Sequence, residues 1–277
     1  EPLDDLLAGG LRPGDVFVLA ARPSVGKSAF AGQVIIHVAQ HVGPVALWSL
    51  EMGPEQWARR ALSQRALVSS KKLRMGKSVL ADDDLPRILS ASAFLNTLPI
   101  HFADTSDTTP EGWELEASRM VREHGVRLLV IDYLGLMQPP PGAWSRENEV
   151  ARHSRTIKLA AQRLRVPVLL LHQLSRDAED KPPTLRHLRE SGAIEQDADQ
   201  VAFIHRDREQ DSPLHKPEGL IILAKQRDGE TGVVPVRFDG EHFRFYAMSG
   251  AQEPPELQAR RSRYARKDRP GRRAQEY

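Results

Sequence analysis

The sequence predicts an α/β domain in which a mostly parallel sheet, flanked by helices, gains antiparallel strands near its C-terminal end. Three observations carry this expectation. Short apolar runs alternate with stretches of helical spacing from Gly14 to Leu174. Several of those runs are apolar throughout, as strands covered on both faces are. Four more strand-like runs then follow at close spacing, with few helical residues between them.

Taken in order, Gly14–Ala20 (GDVFVLA) reads as a buried strand after a Pro-Gly turn, and Ser28–Gln40 as a helix. Val45–Leu50 is a second strand. Pro54–Val68 and Ala81–Leu95 have helical patterning, and Ile100–Ala103 is a short strand. Pro110–His124 is a helix with proline at an early position. Leu128–Met137 (LLVIDYLGLM) is apolar enough for a central strand. Gln138–Ser145 is a surface loop, Glu147–Arg165 a long polar helix and Val168–Leu174 another buried strand. A polar stretch, Ser175–Pro183, leads to a short helical segment. The closing strands are Val201–His205, Leu220–Lys225, Val233–Phe238 and Phe243–Tyr246. Composition changes after Met248, which predicts one domain over 1–248 and a basic tail over 249–277.

The 277 residues are enough for a full core in one domain with a small extension. Glu1 in place of an initiator Met predicts a fragment or a processed product. No apolar run approaches the roughly 20 residues that span a bilayer, and the N-terminus does not resemble a signal peptide. The absence of cysteine excludes disulfides and thiolate metal sites. These features fit a cytoplasmic protein. The net charge of +2 hides an asymmetry, because residues 259–277 hold eight Lys/Arg and two acids. The body is therefore mildly acidic. The tail reads either as a solvated, disordered end or as a nonspecific attractor of nucleic acid.

Six short stretches carry chemistry. In ARPSVGKSA, Ala21–Ala29, the residues Gly26, Lys27 and Ser28 match the phosphate-loop pattern G-x-x-x-x-G-K-[ST], with Ala21 at the first glycine position. Alanine is acceptable there if its φ is negative. The backbone of Ala21, Arg22, Pro23, Ser24, Val25, Gly26 and Ala29 would surround phosphate oxygens, with Pro23 contributing no N–H. Lys27 would reach the β- and γ-phosphates and the Ser28 hydroxyl would ligate Mg²⁺. Asp132 lies near the end of an apolar strand, where a carboxylate fits the ligand-binding C-terminal edge of a parallel sheet and a metal shell. Glu51 follows the second strand and could orient an attacking water; an ordinary surface glutamate has the same spacing. Gln173 ends the strand VLLLHQ, as a γ-phosphate sensor or a plain strand-end hydrogen bond. Arg189, Glu190, Ser191 and Gly192 form a polar turn suited to phosphate contacts or simply to capping a helix. Lys225 and Arg227, two residues apart, suit arginine-finger chemistry worth about 10³–10⁵ in rate, in cis or from a neighbour, or are a basic strand end before a turn.

Together these stretches resemble the C-terminal motor domain of the DnaB replicative helicase family, with its RecA-like P-loop NTPase fold. The resemblance runs from DDLLAGGLRPGD at Asp4–Asp15 to about Tyr246, through ARPSVGKS, SLEM, LLVIDYLGLM, VPVLLLHQLSR, LRESGAIEQDAD and AKQRDGETG in that order. Alanine at position 21 is familiar in that family. The resemblance implies that Lys27 and Ser28 bind ATP and Mg²⁺, with Asp132 as the metal-shell carboxylate. It implies Glu51 as catalytic base and Gln173 as the link between nucleotide and DNA. By it, Arg227 and Lys225 act in trans on the next subunit's ATP, and Arg189–Gly192 faces single-stranded DNA in a central channel. It further implies a homo-hexameric ring moving 5′ to 3′, with primase and a helicase loader as partners of the full-length protein and no membrane partner. Two other readings share the loop: a RecA-like recombination or repair ATPase forming filaments on DNA, and a nucleotide-gated adaptor or phosphotransferase. The LRESGAIEQDAD stretch argues against the first and Glu51 with Lys225 and Arg227 against the second.

Overall fold

The computed structural model of the protein describes residues 2–7, 9–76, 79–139, 142, 145–174, 182–206 and 218–248, with Pro2 and residues 189–191 described by backbone alone. The tail over 249–277, and parts of the Gln138–Ser145 and Ser175–Pro183 stretches, lie outside the described residues.

A nine-stranded mixed sheet organises the molecule. Its parallel part consists of β1 (Val16–Ala21), β2 (Val45–Ser49), β3 (Ile100–Phe102), β4 (Leu128–Asp132), β5 (Val168–Gln173) and β6 (Gln200–Arg206). The antiparallel extension is β7 (Glu218–Gln226), β8 (Gly232–Asp239) and β9 (Arg244–Ala247). The order across the sheet is β3-β2-β4-β5-β1-β6-β7-β8-β9. The α/β class and the late antiparallel strands are as the sequence predicts.

Alternation along β1 shows why these strands are apolar throughout. Val16, Val18 and Ala20 enter one core, and Phe17, Leu19 and Ala21 enter the other. Helices α6 (Pro110–His124), α7 (Arg146–Leu164) and α8 (Gly192–Asp197) cover the first face. Helices α2 (Lys27–His41) and α3 (Pro54–Ala66), with β8 and β9, cover the second. α6 has the bounds its sequence announces. Thr109 caps it by accepting the Gly112 N–H at 3.2 Å, Pro110 occupies the first turn and Gly125 stops it at φ 63°. Its buried Trp113, Ala117 and Met120 lie on one helical face.

Three elements depart from expectation. The strand predicted over Leu128–Met137 ends at Asp132, and Leu134–Leu136 forms a single 3-10 turn. Leu134 and Met137 are still buried, so the apolar content marked burial and not strand. Helix α4 (Ser70–Met75) has no apolar period, and it rests on Leu73 in a small cluster with Val68 and Ala91. The ion pair from Lys72 to Asp84, the first residue of α5 (Asp84–Asn96), ties it down at 3.0 Å. The short helix α1 (Pro2–Leu6) lies against β8, with a Leu6 methyl 2.6 Å from where a side chain at Gly232 would begin.

Candidate active site

The parallel strands all end on one edge, and their registers bring the predicted residues there. Ala21, last in β1, pairs with Gln173, last in β5. Ser49, last in β2, pairs with Asp132, last in β4. Glu51 follows, its backbone N–H donating to the Asp132 carbonyl at 3.3 Å and the Leu50 N–H to the same carbonyl at 2.7 Å. Gln173 and the Glu51 side chain are exposed at this edge.

The loop itself is a turn from Arg22 to Gly26, and Lys27 opens the 15-residue α2. Ala21 is paired in the strand and is not among the positive-φ residues, so nothing at this position demands glycine. Gly26 is different. Its φ is 114°, and a Cβ there would lie 2.8 Å from Phe245 Cζ and 3.3 Å from Phe238 Cε2. Both the backbone and the overlying ring require glycine. β9 is held over the loop by side-chain amides. Gln33 bonds the Phe245 N–H and carbonyl at 2.7 and 3.1 Å. Gln64 donates to the Ala29 and Phe243 carbonyls at 2.9 and 2.6 Å. From β6, buried Arg206 donates to the Val25 carbonyl at 3.1 Å.

Lys27 is 8% exposed, and its ammonium stands 3.7 Å from Asp132 Oδ1 and 4.4 Å from the Tyr133 ring centroid. Burial lowers the Lys27 pKa, and Asp132 and then Glu51 oppose that shift. Asp132 is 4% exposed, and its Oδ1 is fully buried with no hydrogen bond. Arg60 of α3, absent from the sequence expectations, is half-buried above the Phe243 ring at 5.0 Å. Its pKa is also lowered by burial and supported by Asp132 and Glu51. Two cations and two carboxylates therefore share the loop's edge. His172, beside them on β5, is pushed down to about 4 by burial and by the Lys27 and Arg146 charges.

This arrangement fits a triphosphate with a divalent cation. The helix terminus and Lys27 supply positive potential, and Asp132, whose buried Oδ1 makes no hydrogen bond and stands 3.7 Å from Lys27, presents a carboxylate at the same edge. Among the described residues no cluster of three His, Asp or Glu side chains could hold a metal alone. A cation at this edge would therefore take its remaining ligands from phosphate and water, as Mg²⁺ ordinarily does.

Lys225 and Arg227 are not brought to this edge. β7 runs antiparallel to β6, and Gln226 pairs with Gln200 at the start of β6, which pairs with Phe17 near the start of β1. The two cations thus sit where the parallel strands begin. The six residues of β1 separate them from the loop, roughly 20 Å at strand rise. They meet their own α8 instead. Lys225 Nζ donates to the Glu195 and Ala198 carbonyls at 2.5 and 2.6 Å, and Arg227 to the Gln196 carbonyl at 2.8 Å. A cis-acting finger, which the residues alone left open, is excluded by this placement. The Arg189–Gly192 turn closes a 3-10 segment, Leu185–Ser191, and opens α8, anchored by buried Leu188.

The chain's residues 1–247 match the family model described as DnaB-like helicase C terminal domain. It is 39% identical over 251 residues to the replicative DNA helicase DnaB of Leifsonia xyli, covering 88% of this chain and 54% of that protein. A solved ATPase domain superposes with a TM-score of 0.83 at 31% identity, covering 90% of this chain and 89% of that one. A DnaB-like replicative helicase, solved in a study of its interactions with primase, superposes with a TM-score of 0.82 at 32% identity, covering 88% and 59%. The chain spans about half the length of the helicases it matches in sequence. On the family match, the sequence identity and the shared fold together, the chain belongs to the DnaB-like helicase C-terminal domain family.

Proposed function

We propose that residues 1–248 are the motor of an ATP-driven replicative DNA helicase, which assembles as a homo-hexameric ring and moves 5′ to 3′ on single-stranded DNA. The observation that carries this reading is the division of the site. The loop, Lys27, Asp132 and Glu51 occupy one edge of the sheet, while Lys225 and Arg227 occupy the other. A nucleotide on one protomer can meet those cations only from a second copy, and a closed ring supplies such a contact at every subunit.

In this site Lys27 and the backbone of Arg22–Ser28 bind the triphosphate. Ser28 and Asp132 hold Mg²⁺, which supplies charge neutralisation of the transferring phosphoryl group. Glu51, at the exposed end of β2, orients and deprotonates the attacking water. Arg227 of the neighbour, with Lys225, stabilises charge that develops on the leaving phosphate. Gln173, paired to Ala21, stands where the γ-phosphate can be sensed and passes that state along β5. Arg189–Gly192 contacts the DNA backbone. Primase and a helicase loader are expected partners of the full-length protein. No described helix is long and apolar enough to cross a membrane.

The test is ATP hydrolysis by the full-length protein with and without single-stranded DNA, together with separation of a forked duplex. Stimulation by DNA and unwinding from the 5′ tail support the proposal. Equal rates with and without DNA, and an intact fork, overturn it.

A further inference from the structure

Asp199 lies between α8 and β6 and is 6% exposed. None of the roles above uses it, yet every polar group it has is engaged. Its Oδ2 accepts from Lys158 Nζ at 2.6 Å and from the Val16 N–H at 2.7 Å. Its backbone N–H donates to the Val16 carbonyl at 3.0 Å, and its carbonyl accepts the Arg227 N–H at 3.0 Å. The remaining carboxylate oxygen, Oδ1, faces Arg227 Nη1 at 3.3 Å. Lys158 also donates to the Gly14 carbonyl at 3.1 Å, so the carboxylate is itself fixed from behind. The Arg227 side chain is 48% exposed, with its guanidinium held on one side by Asp199 and the Gln196 carbonyl.

We infer that Asp199 is the positioning residue for the trans-acting arginine: it anchors Arg227 through both backbone and carboxylate and thereby aims the guanidinium at the neighbouring subunit's nucleotide. The inference rests on the shared-site reading above. A long, flexible side chain acting across an interface must be pre-organised to stabilise a transition state. A buried carboxylate with two further fixed partners holds it better than solvent does. Asp199 also clamps Val16, the first residue of the strand that ends in the phosphate loop. A purely structural role would therefore be felt in the protomer's own nucleotide site. The positioning role is felt in the neighbour's.

The experiment separates these by subunit mixing in the full-length protein. Asp199→Asn keeps an acceptor for the Val16 N–H and removes the charge facing Arg227. Alone it should lower kcat for ATP by roughly 10- to 100-fold, with KM nearly unchanged. Mixed with Lys27→Ala it should regain activity, because Lys27→Ala subunits carry intact fingers for the Asp199→Asn nucleotide sites. Mixed with Arg227→Ala it should stay silent, because neither partner brings a sound finger. The opposite grouping, rescue by Arg227→Ala and not by Lys27→Ala, places the defect in the protomer's own loop and overturns the inference. The control mixture of Lys27→Ala with Arg227→Ala must recover activity; if it stays silent, the shared-site reading fails and takes this one with it. Should Asp199→Asn not fold, Asp199→Asn with Lys158→Met leaves no unpaired buried charge and must give the same grouping. Wild-type kcat in both variants overturns the inference as well.

Discussion

The buried pair between Lys27 and Asp132 should be measurable in the protein without nucleotide. Their charged atoms are 3.7 Å apart, with side chains 9% and 5% exposed. At an effective dielectric constant near 20 the attraction is about 4–5 kcal/mol. Much of that is offset by the cost of removing both groups from water. Removing one partner leaves the other charge buried, which typically costs about 3–5 kcal/mol. Asp132 would still feel Arg60, so Lys27→Met should fall at the low end of that range. Asp132→Asn leaves Lys27 with Glu51 as its remaining carboxylate, and burial already lowers the Lys27 pKa, so this loss also falls at the low end. Lys27→Met with Asp132→Asn removes both charges and should be more stable than the two single losses add up to, by about 1–3 kcal/mol. Urea unfolding of the four proteins at neutral pH, without nucleotide or divalent ions, gives this coupling directly. Unchanged m-values would show that the unfolded state is not responsible. Single losses that add within about 0.5 kcal/mol would mean the two groups are solvated independently, and the reasoning from burial would be wrong.

Two further predictions rest on single contacts. Gly26→Ala should destabilise the protein by roughly 2–4 kcal/mol and abolish nucleotide binding, since it combines an unfavourable positive φ with a clash on Phe245. Adding Phe245→Leu should recover only part of the stability in a thermal melt, and full recovery would show that φ contributes nothing. His172 has its pKa lowered from 6.5 to about 4, so the unfolded chain binds the proton more readily than the native one. Its contribution is complete above about pH 6.5 and disappears as pH falls toward 4, up to about 3 kcal/mol in all. His172→Gln should flatten the stability profile over that window, and identical profiles for both proteins would refute the assignment.

How much of this was legible in the sequence depends on whether a feature is local. The ends of α6 are set by Thr109, Pro110 and Gly125, which sit in or next to the helix, and reading them gives its bounds. Glu51 and Gln173 follow or close short apolar runs, so a parallel sheet puts them at one edge, whereas Asp132 reaches its place at the strand end because β4 stops five residues short of the expected Met137. The segment after Asp132 was not legible, because apolar residues bury equally well in a strand or in a 3-10 turn. Arg206 reaches the Val25 carbonyl, Gln64 the Ala29 carbonyl and Gln33 the Phe245 backbone over the loop, while Arg60 lies above Phe243, and no spacing rule marks any of them. The Asp199 clamp is hidden for the same reason, since its partners lie at Val16, Lys158 and Arg227. The placement of Lys225 and Arg227 follows from the register of β7 against β6, which the expectation of antiparallel strands does not by itself supply.

The central claim is that each ATP site is completed by a neighbouring subunit, and subunit mixing tests it most directly. Lys27→Ala and Arg227→Ala should each abolish hydrolysis in the full-length protein. Mixed in equal amounts and allowed to reassemble, they should regain hydrolysis, because about a quarter of interfaces in a randomly mixed ring join an intact loop to an intact finger. A mixture that stays as silent as its components, in rings shown to contain both, would contradict the account.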